Sequence, residues 1–430
     1  MFISVQEALK KGKGKVNLRG WIYRERKQKD MAFLVIRDST NIIQAVVKKD
    51  KVNKKEWEDA DKLLIESSIE IEGELKEDKR APTGYEVQVS KLNVIQFAEV
   101  FPINKDQSPE LLLDNRHLWL RSRKLTAVLK IRSTIFWAIH EYFRNNNFYE
   151  FQSPIIQSTQ AEGGSTLFDL NYFGKKLFLA QTWQLYAEPA IFALEKIYCI
   201  APSFRAEKSK TSRHLTEYWH AEMEAAWASF KDIQDYGEEL IKHIVKKVLE
   251  KNKDELKILE RDINKLEPII KKSFPRITYT EALKILKNKC NIKIDWGKDL
   301  RTIEEDELSK LYDTPIIVTH YPKIVKAFYM KEDDKDKKVV LGCDFIAPEG
   351  YGEIIGGSER EPDPKKIIQR LKEQGENPEN YKFYLDTRRY GSVPHSGFGM
   401  GVERIVSWIC GLENIKDAIP YPRTMLRYTP

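Results

Sequence analysis

The stretch FRAEKSKTSRHLTEYWHAEMEAAW, residues 204–227, holds the densest set of reactive side chains in this 430-residue chain. Arg205 and Glu207 sit two apart in an apolar setting, a basic, hydroxyl-rich loop follows, and Arg213, His214 and Tyr218 lie on the way back. Beyond it, odd positions (Trp219, Ala221, Met223, Ala225, Trp227) are apolar, while even positions (His214, Thr216, Tyr218, His220, Glu222, Glu224) are nearly all polar. A period of two places these sets on opposite faces of a strand. The expected element is an antiparallel hairpin with one buried face and one face of arginine, histidine, tyrosine and carboxylate. A half-solvated sheet face is common, but it has no need of that selection of groups.

Two other segments share this character. CDFIAPEGYGEIIGGSERE, residues 343–361, carries Asp344 and Glu353 in one strand–turn–strand unit, then Gly356, Gly357 and Arg360. Two carboxylates so placed suit an oxygen-coordinated Mg²⁺ shared with substrate phosphates, and the glycines leave room for a ligand near the backbone. In PHSGFGMGVERIVSWICGL, residues 394–412, glycines 397, 399 and 401 precede a helix whose first turn holds Glu403 and Arg404. A helix N-terminus and an arginine both favour phosphate. The glycines lack the GxGxxG spacing and a leading buried parallel strand, which excludes a dinucleotide-binding fold. They are expected to let strand and helix pack closely under a nucleotide.

The elements that must position these groups are legible in outline. Residues 1–100 show three strand candidates, Val16–Tyr23, Met31–Arg37 and Ile42–Val47, and two more in SSIEIEGELKED and YEVQVSKLNVIQFA, with a helical stretch over Lys54–Leu64. Five short strands fit a small closed barrel of the OB type. Residues 101–124, with prolines at 102 and 109, read as a hinge. Apolar residues at 125, 128, 129, 135, 138, 139, 142 and 143 predict a long helix running into a strand that ends at Pro154. A Lys/Glu-rich amphipathic helix is expected over 235–272, and EDDKDKK at 332–338 reads as a solvated turn.

Length allows two domains. The composition is 41% hydrophobic and 32% charged, with net charge +7, which permits a polyanionic partner without demanding one. Four dispersed cysteines, Cys199, Cys290, Cys343 and Cys410, form no CxxC pair, which argues against zinc and against a disulfide framework. Neither a signal peptide nor a membrane-spanning run is evident. A cytoplasmic protein is expected.

Taken in order and spacing, FYEFQSPII, FRAE…RHLTEYW and GFGMGVERI resemble the three motifs of class II aminoacyl-tRNA synthetases. The N-terminal barrel with GEIIGGSERE is similar to the aspartate–asparagine–lysine subgroup, over nearly the whole chain except roughly 235–335. The resemblance implies an α+β chain: an OB-fold anticodon-binding domain over 1–100, a hinge over 101–124, and a catalytic domain over 125–430. That domain has a central antiparallel sheet flanked by helices, with a largely helical insertion near 235–335.

Within the subgroup, EGGSTLF, RHLTEYWHAEMEAAW, RRYGSVPHSGFGMGVERI and IPYPRT resemble the asparagine-specific members, in the short form of archaea. Aspartate-specific members carry a lysine after QLY, and here that place is Ala187. An amide ligand needs a donor and an acceptor, expected from Arg360 and Glu222, the latter also repelling a competing carboxylate. Trp183 departs from the small residue usual in the family.

By resemblance, Arg205 and Arg404 are the catalytic groups. The ATP site comprises Arg205, Glu207, Arg213, His214, Tyr218, Glu353, Gly401, Glu403 and Arg404. Glu162 and Gln184 hold the α-ammonium and its surroundings beside Glu222 and Arg360. Asp344 and Glu353 position Mg²⁺, with Gly356 beside it, and no zinc is implied. Phe33, Arg26 and Gln44 are the anticodon candidates, Phe33 stacking on a base. The implied partners are ATP, L-asparagine, tRNA(Asn) and a second copy of the chain through the first motif, with no membrane. An aspartate-specific enzyme charging one or both tRNAs, and an inactive tRNA-binding paralogue, stay open at this point.

Overall fold

The computed structural model describes residues 1–104, 107–161, 166–208 and 212–430. Two compact units divide at 112/113, inside the stretch expected as a hinge.

In the first unit, strands β1 (Gly14–Lys27), β2 (Met31–Arg37), β3 (Ile42–Lys48), β4 (Ser68–Glu77) and β5 (Tyr85–Gln96) close a barrel in the order β1-β2-β3-β5-β4. Alternate side chains fill it, among them Leu18, Ile22, Leu34, Ile36, Ile71 and Val89. Strand β1 is longer than its apolar alternation predicts. A register shift between Ile22 and Arg24 bends it, so its first half pairs with β4 and its second with β2. The helix Lys54–Lys62 ends two residues before Leu64. A helix over Val5–Lys11, not read from the sequence, starts with a reciprocal Ser4–Glu7 cap, and S-x-x-E was its signal.

The second unit is built on an eight-stranded sheet. Its strands are β6 (Tyr149–Glu150), β10 (Lys196–Phe204), β11 (Glu217–Ala226), β12 (Arg276–Thr278), β13 (Ile316–Thr319), β14 (Gly342–Ala347), β15 (Gly352–Glu359) and β16 (His395–Gly401). They lie in the order β12-β13-β14-β15-β16-β11-β10-β6. All pairs are antiparallel except β12–β13 and β10–β6 at the two ends. The remaining strands, β7 (Ile156–Gln157), β8 (Asp169–Tyr172) and β9 (Lys175–Leu179), form a separate three-stranded sheet.

The helix Arg123–Asn145 packs its apolar stripe (Val128, Ile131, Ile135, Ile139, Phe143) into the sheet's main core. Only two residues of the strand expected before Pro154 pair, as β6. The helix expected over 235–272 instead runs Phe230–Lys251 and is followed by short pieces, Lys253–Ile258 and Glu267–Lys271. Its Ile233, Leu240, Ile241, Ile244 and Val248 belong to the core rather than to a surface helix. Within the expected helical insertion, β12 and β13 join the main sheet.

Two buried arginines fasten this unit. Arg116 donates to the carbonyls of Lys416, Ile419 and Pro420 and pairs with Asp417 at 3.0 Å. Arg132 pairs with Glu403 at 2.7 Å and donates to the Ala418 carbonyl at 3.1 Å. The second Glu403 oxygen accepts the Trp219 backbone N–H at 2.9 Å. One carboxylate thereby joins the long helix, β11 and the helix after β16. Removing one partner of a buried pair strands the other charge. Arg132→Met is expected to destabilise this unit by about 3–5 kcal/mol, checked as a fall in its urea unfolding midpoint.

Candidate active site

Register builds the floor of the site. Asp344 on β14 lies opposite Gly356 on β15, Gly356 opposite Gly399 on β16, and Gly399 opposite Glu222 on β11. Residues in one row share a face of the sheet, so two carboxylates flank a floor of glycine. His220 and Glu224 stand either side of Glu222, opposite Gly401 and Gly397. A Cβ on Gly399 would fall 2.3 Å from His220 Nε2, and one on Gly397 would fall 2.3 Å from the Glu224 carboxylate. The glycine spacing, expected to serve strand–helix packing, serves clearance: it leaves room for the side chains of β11.

Over this floor lie two adjoining cavities, sharing a wall of Arg205, His220, Glu353 and Gly399. The first is lined by all nine residues expected to meet ATP: Arg205, Glu207, Arg213, His214, Tyr218, Glu353, Gly401, Glu403 and Arg404. Strand β10 stops at Phe204, so Arg205 and Glu207 stand just past its end, although Arg205 N still donates to Thr216 O at 3.0 Å. The Arg205 guanidinium lies 5.9 Å from the Tyr218 ring centroid and 4.0 Å from Glu207. Arg404 donates to the Glu353 carbonyl at 2.5 Å. Burial and the nearby Arg404 push the His214 imidazolium below its usual range, against the pull of Glu207. Arg213 forks onto Asp306 at 2.6 and 2.9 Å and also donates to the Gly350 carbonyl. The Glu403 carboxylate, on the same cavity wall, is paired with Arg132 and accepts the Trp219 N–H.

The second cavity, about 610 Å³, is lined by Gln184, Glu222, Arg360, Asp344, Glu353 and Gly356, the residues expected to meet amino acid and metal. Glu162 lies outside the described residues. Lys326, Asp299 and Tyr329 also line it, and none of these was read from the sequence. Asp344 is paired with Lys326 at 2.6 Å, but burial and nearby Glu353 still raise its carboxyl to about 6. Burial and Glu353 likewise push Glu305 up to about 7. A Cβ on Gly356 would lie 3.0 Å from Glu353 Oε1 and 3.7 Å from Asp344 Oδ1, so both carboxylates converge on one point above the glycine. That donor set fits Mg²⁺, which takes one or two carboxylates and completes its shell with water and phosphate. Among the described residues, no group of three or more His, Cys, Asp or Glu is arranged to hold a metal ion.

Comparison with known proteins agrees with this geometry. Residues 108–425 match the family described as tRNA synthetases class II (D, K and N), and residues 16–95 match the OB-fold nucleic acid binding domain. The asparagine–tRNA ligase of Thermoplasma acidophilum is 50% identical over 97% of this chain and 96% of that protein. That of Pyrococcus abyssi is also 50% identical, with the same shares covered. The crystal structure of asparaginyl-tRNA synthetase from Pyrococcus horikoshii complexed with asparaginyl-adenylate superposes with TM-score 0.96 at 48% identity, covering all of both chains. The chain belongs to the asparagine–tRNA ligase family. The enzyme's N-terminal unit is its OB-fold barrel, and its sheet unit carries the class II synthetase domain.

Glu222 and Arg360, both expected to meet the amino acid and both lining the second cavity, have partners within the protein. Glu222 accepts the Thr182 hydroxyl and, at 2.9 Å, the Trp183 N–H. Arg360 is instead held by Glu224, with its Nη1 donating to Ser358 Oγ at 2.6 Å. Burial pushes the Glu224 carboxyl up, to about 7, while Arg360 pulls it down. Glu224 was placed on the polar face by the period-two reading, yet only the register shows it under Arg360. Trp183 lines neither cavity, its Nε1 donating to Phe151 O at 2.7 Å in a cluster with Ile191, Ile197 and Cys199.

On the enzyme's barrel, Phe33 is half-buried between fully buried neighbours Ala32 and Leu34, so its ring faces outward rather than into the core. Arg26 lies opposite it in register, guanidinium 5.1 Å from the ring. Gln44 is tied by its amide N–H₂ to Glu86 at 3.0 Å, its register partner on β5.

The shared wall between the cavities rests on glycine. Gly399→Ala is expected to displace His220 and lower amino-acid-dependent ATP–pyrophosphate exchange by about a hundredfold. Exchange kinetics check this, beside a melting curve showing that the fold is retained.

Proposed function

We propose that the chain activates L-asparagine with ATP and transfers it to the 3′ end of tRNA(Asn), releasing AMP and pyrophosphate. The observation that carries the choice of asparagine is the pairing of Arg360 with Glu224. A guanidinium whose charge is already balanced offers hydrogen bonds to a neutral amide without requiring a second carboxylate. Ala187, fully buried, stands where a lysine would favour aspartate.

In the first step an oxygen of the asparagine carboxylate attacks the α-phosphorus, and the α–β anhydride bond breaks with its electron pair leaving on pyrophosphate. The carboxylate is already a nucleophile, so this chain's residues act by positioning and by stabilising charge. Arg205 holds the α-phosphate against the carboxylate, and Arg404 holds the far phosphates. Tyr218 stacks on adenine with Glu207 as acceptor, and Arg213 and His214 close the loop over the nucleotide. Glu353 and Asp344, beside Gly356, would hold Mg²⁺, which would supply positive charge to the phosphates. Gln184 and Glu162 meet the ammonium side of the amino acid, and Arg360 and Glu222, which both line the cavity, meet its amide, with Glu224 holding Arg360. In the second step the terminal adenosine hydroxyl attacks the activated carbonyl and AMP departs.

The barrel is the anticodon domain, with Phe33 as the stacking contact and Arg26 and Gln44 at the base edges. A second copy pairs along the long helix and β6. Exposed Tyr149, Ile155 and Ile156 lie near that edge strand, which supports the reading. No helix among the described residues is long and apolar enough to cross a membrane, and we place the enzyme in the cytoplasm.

Exchange and tRNA charging with asparagine and aspartate side by side should favour asparagine, and preference for aspartate would overturn the amide argument. Arg205→Ala is expected to reduce exchange at least about a hundredfold, in line with loss of one preorganised charge contact. Sedimentation at micromolar concentration should return twice the chain mass of 50.3 kDa, whereas a monomer would sink the dimer.

A further inference from the structure

Behind Arg360, on the side away from the cavity, the protein buries a second layer of charge that no reacting atom touches. Glu188, Tyr384 and His395 are fully buried, and the Arg388 side chain with them. Glu188 lies one helical turn after Gln184, whose amide donates to its Oε1 at 2.9 Å, as the Tyr384 hydroxyl does at 3.0 Å. Arg388 donates to the other oxygen, and His395 Nε2 stands 3.0 Å from it while Nδ1–H donates to Val393 O. Arg360 Nε is 3.9 Å from Glu188 Oε1. Gln184 and Arg360 line the cavity; Glu188 lines neither cavity. Burial pushes the Glu188 carboxyl up, but Arg388, His395 and Arg360 outweigh it and hold it ionised.

The end of the pocket therefore interleaves the guanidiniums of Arg360 and Arg388 and the His395 ring with the carboxylates of Glu188 and Glu224. Opposed charges buried together at low dielectric favour a neutral side chain over one that brings a further charge. Losing Glu188 would make the field at Arg360 more positive, and losing Arg388 would make it more negative.

Building on the reading that the pocket takes asparagine, we propose that Glu188 is a specificity-determining positioning residue, cancelling Arg388 behind Arg360 so that the pocket does not attract the carboxylate of aspartate. Glu188 acts through Arg360 and Gln184 rather than on the ligand. Its second effect is to hold both of those side chains from one carboxylate, which couples the ammonium end of the amino acid to its amide end.

The test uses the full chain in asparagine-dependent ATP–pyrophosphate exchange. KM and kcat are measured for asparagine and ATP, together with the inhibition constant of aspartate as competitor, which yields a value even when aspartate is not turned over. Glu188→Gln keeps an acceptor oxygen but makes the cluster one charge more positive. It should raise the preference for aspartate relative to asparagine by about tenfold or more, with KM for ATP within about twofold of the unaltered chain. Arg388→Gln should move the same ratio in the opposite direction, and the charge-neutral double variant should return it close to the starting value. A packing role alone would move both single variants the same way. Shifts of like sign, a ratio unmoved in both single variants, or a double variant that stays far from the starting ratio would each overturn the proposal. If one single variant fails to fold, as judged by its melting curve, the sign of the other and the ratio of the double variant decide. Absence of asparagine exchange in the unaltered chain would instead defeat the underlying reading, and is seen before any variant is made.

Discussion

The site depends on one constraint, the register of β11 against β16. Side chains of facing residues on one side of a sheet compete for the same space, and β16 yields that space at Gly397 and Gly399. The carboxylate of Glu224 and the imidazole of His220 lie where ordinary Cβ atoms would be, at 2.3 Å from those positions. A one-residue slip would send His220, Glu222 and Glu224 to the opposite face. The apolar set of the same strand, Ala221, Met223 and Ala225, is buried in the main core and opposes such a slip. Hydrophobic burial on one side of β11 thus holds the reactive groups in place on the other.

Charge is the second organising element. Burial at the amino-acid end is tolerated because guanidiniums and carboxylates are interleaved, with Arg360 between Glu224 and Glu188. Around Asp344 the balance is different. Burial, with Glu353 nearby, raises Asp344, Glu305 and Asp299, while Arg404, Lys326 and Arg205 hold Glu353 below its ordinary range. Carboxylates crowded in this way favour a cation arriving with the substrate. The two ends of one cavity therefore suit different ligands: one neutral and hydrogen-bonding, the other cationic.

Much of this was legible in the sequence, for identifiable reasons. Local signals read well: the alternation in β2 and β11, the stripe of the long helix, and the ordered motifs that carry Arg205, Glu353, Arg360 and Arg404. Groups brought in from distant segments were not visible. Lys326 and Asp299 meet Asp344 only through the turns around β13, and no spacing rule connects 326 with 344. Glu188 was within reach once Gln184 was placed on a helix, being four residues on. The pairing of Glu403 with Arg132 was hidden too, because Arg132 reaches it from another helix. The Lys/Glu-rich stretch after 230 misled differently, since its charges mask a continuous apolar stripe that docks on the sheet.

The segment 415–423 is held at both flanks. Arg116 and Arg132 grip its carbonyls, while Ile415 N–H donates to Ser212 O and Thr216 N–H donates to Arg423 O, beside the nucleotide cavity. The early helices that carry Arg116 and Arg132 thus wait on residues made about three hundred positions later, and the returning arm of the central hairpin on residues about two hundred later. During synthesis the sheet can begin to assemble from the amino end, but the main-chain partners of Ser212 and Thr216 arrive only with this strap. The nucleotide side of the site is thus bordered by main chain from a segment some two hundred positions beyond its own hairpin.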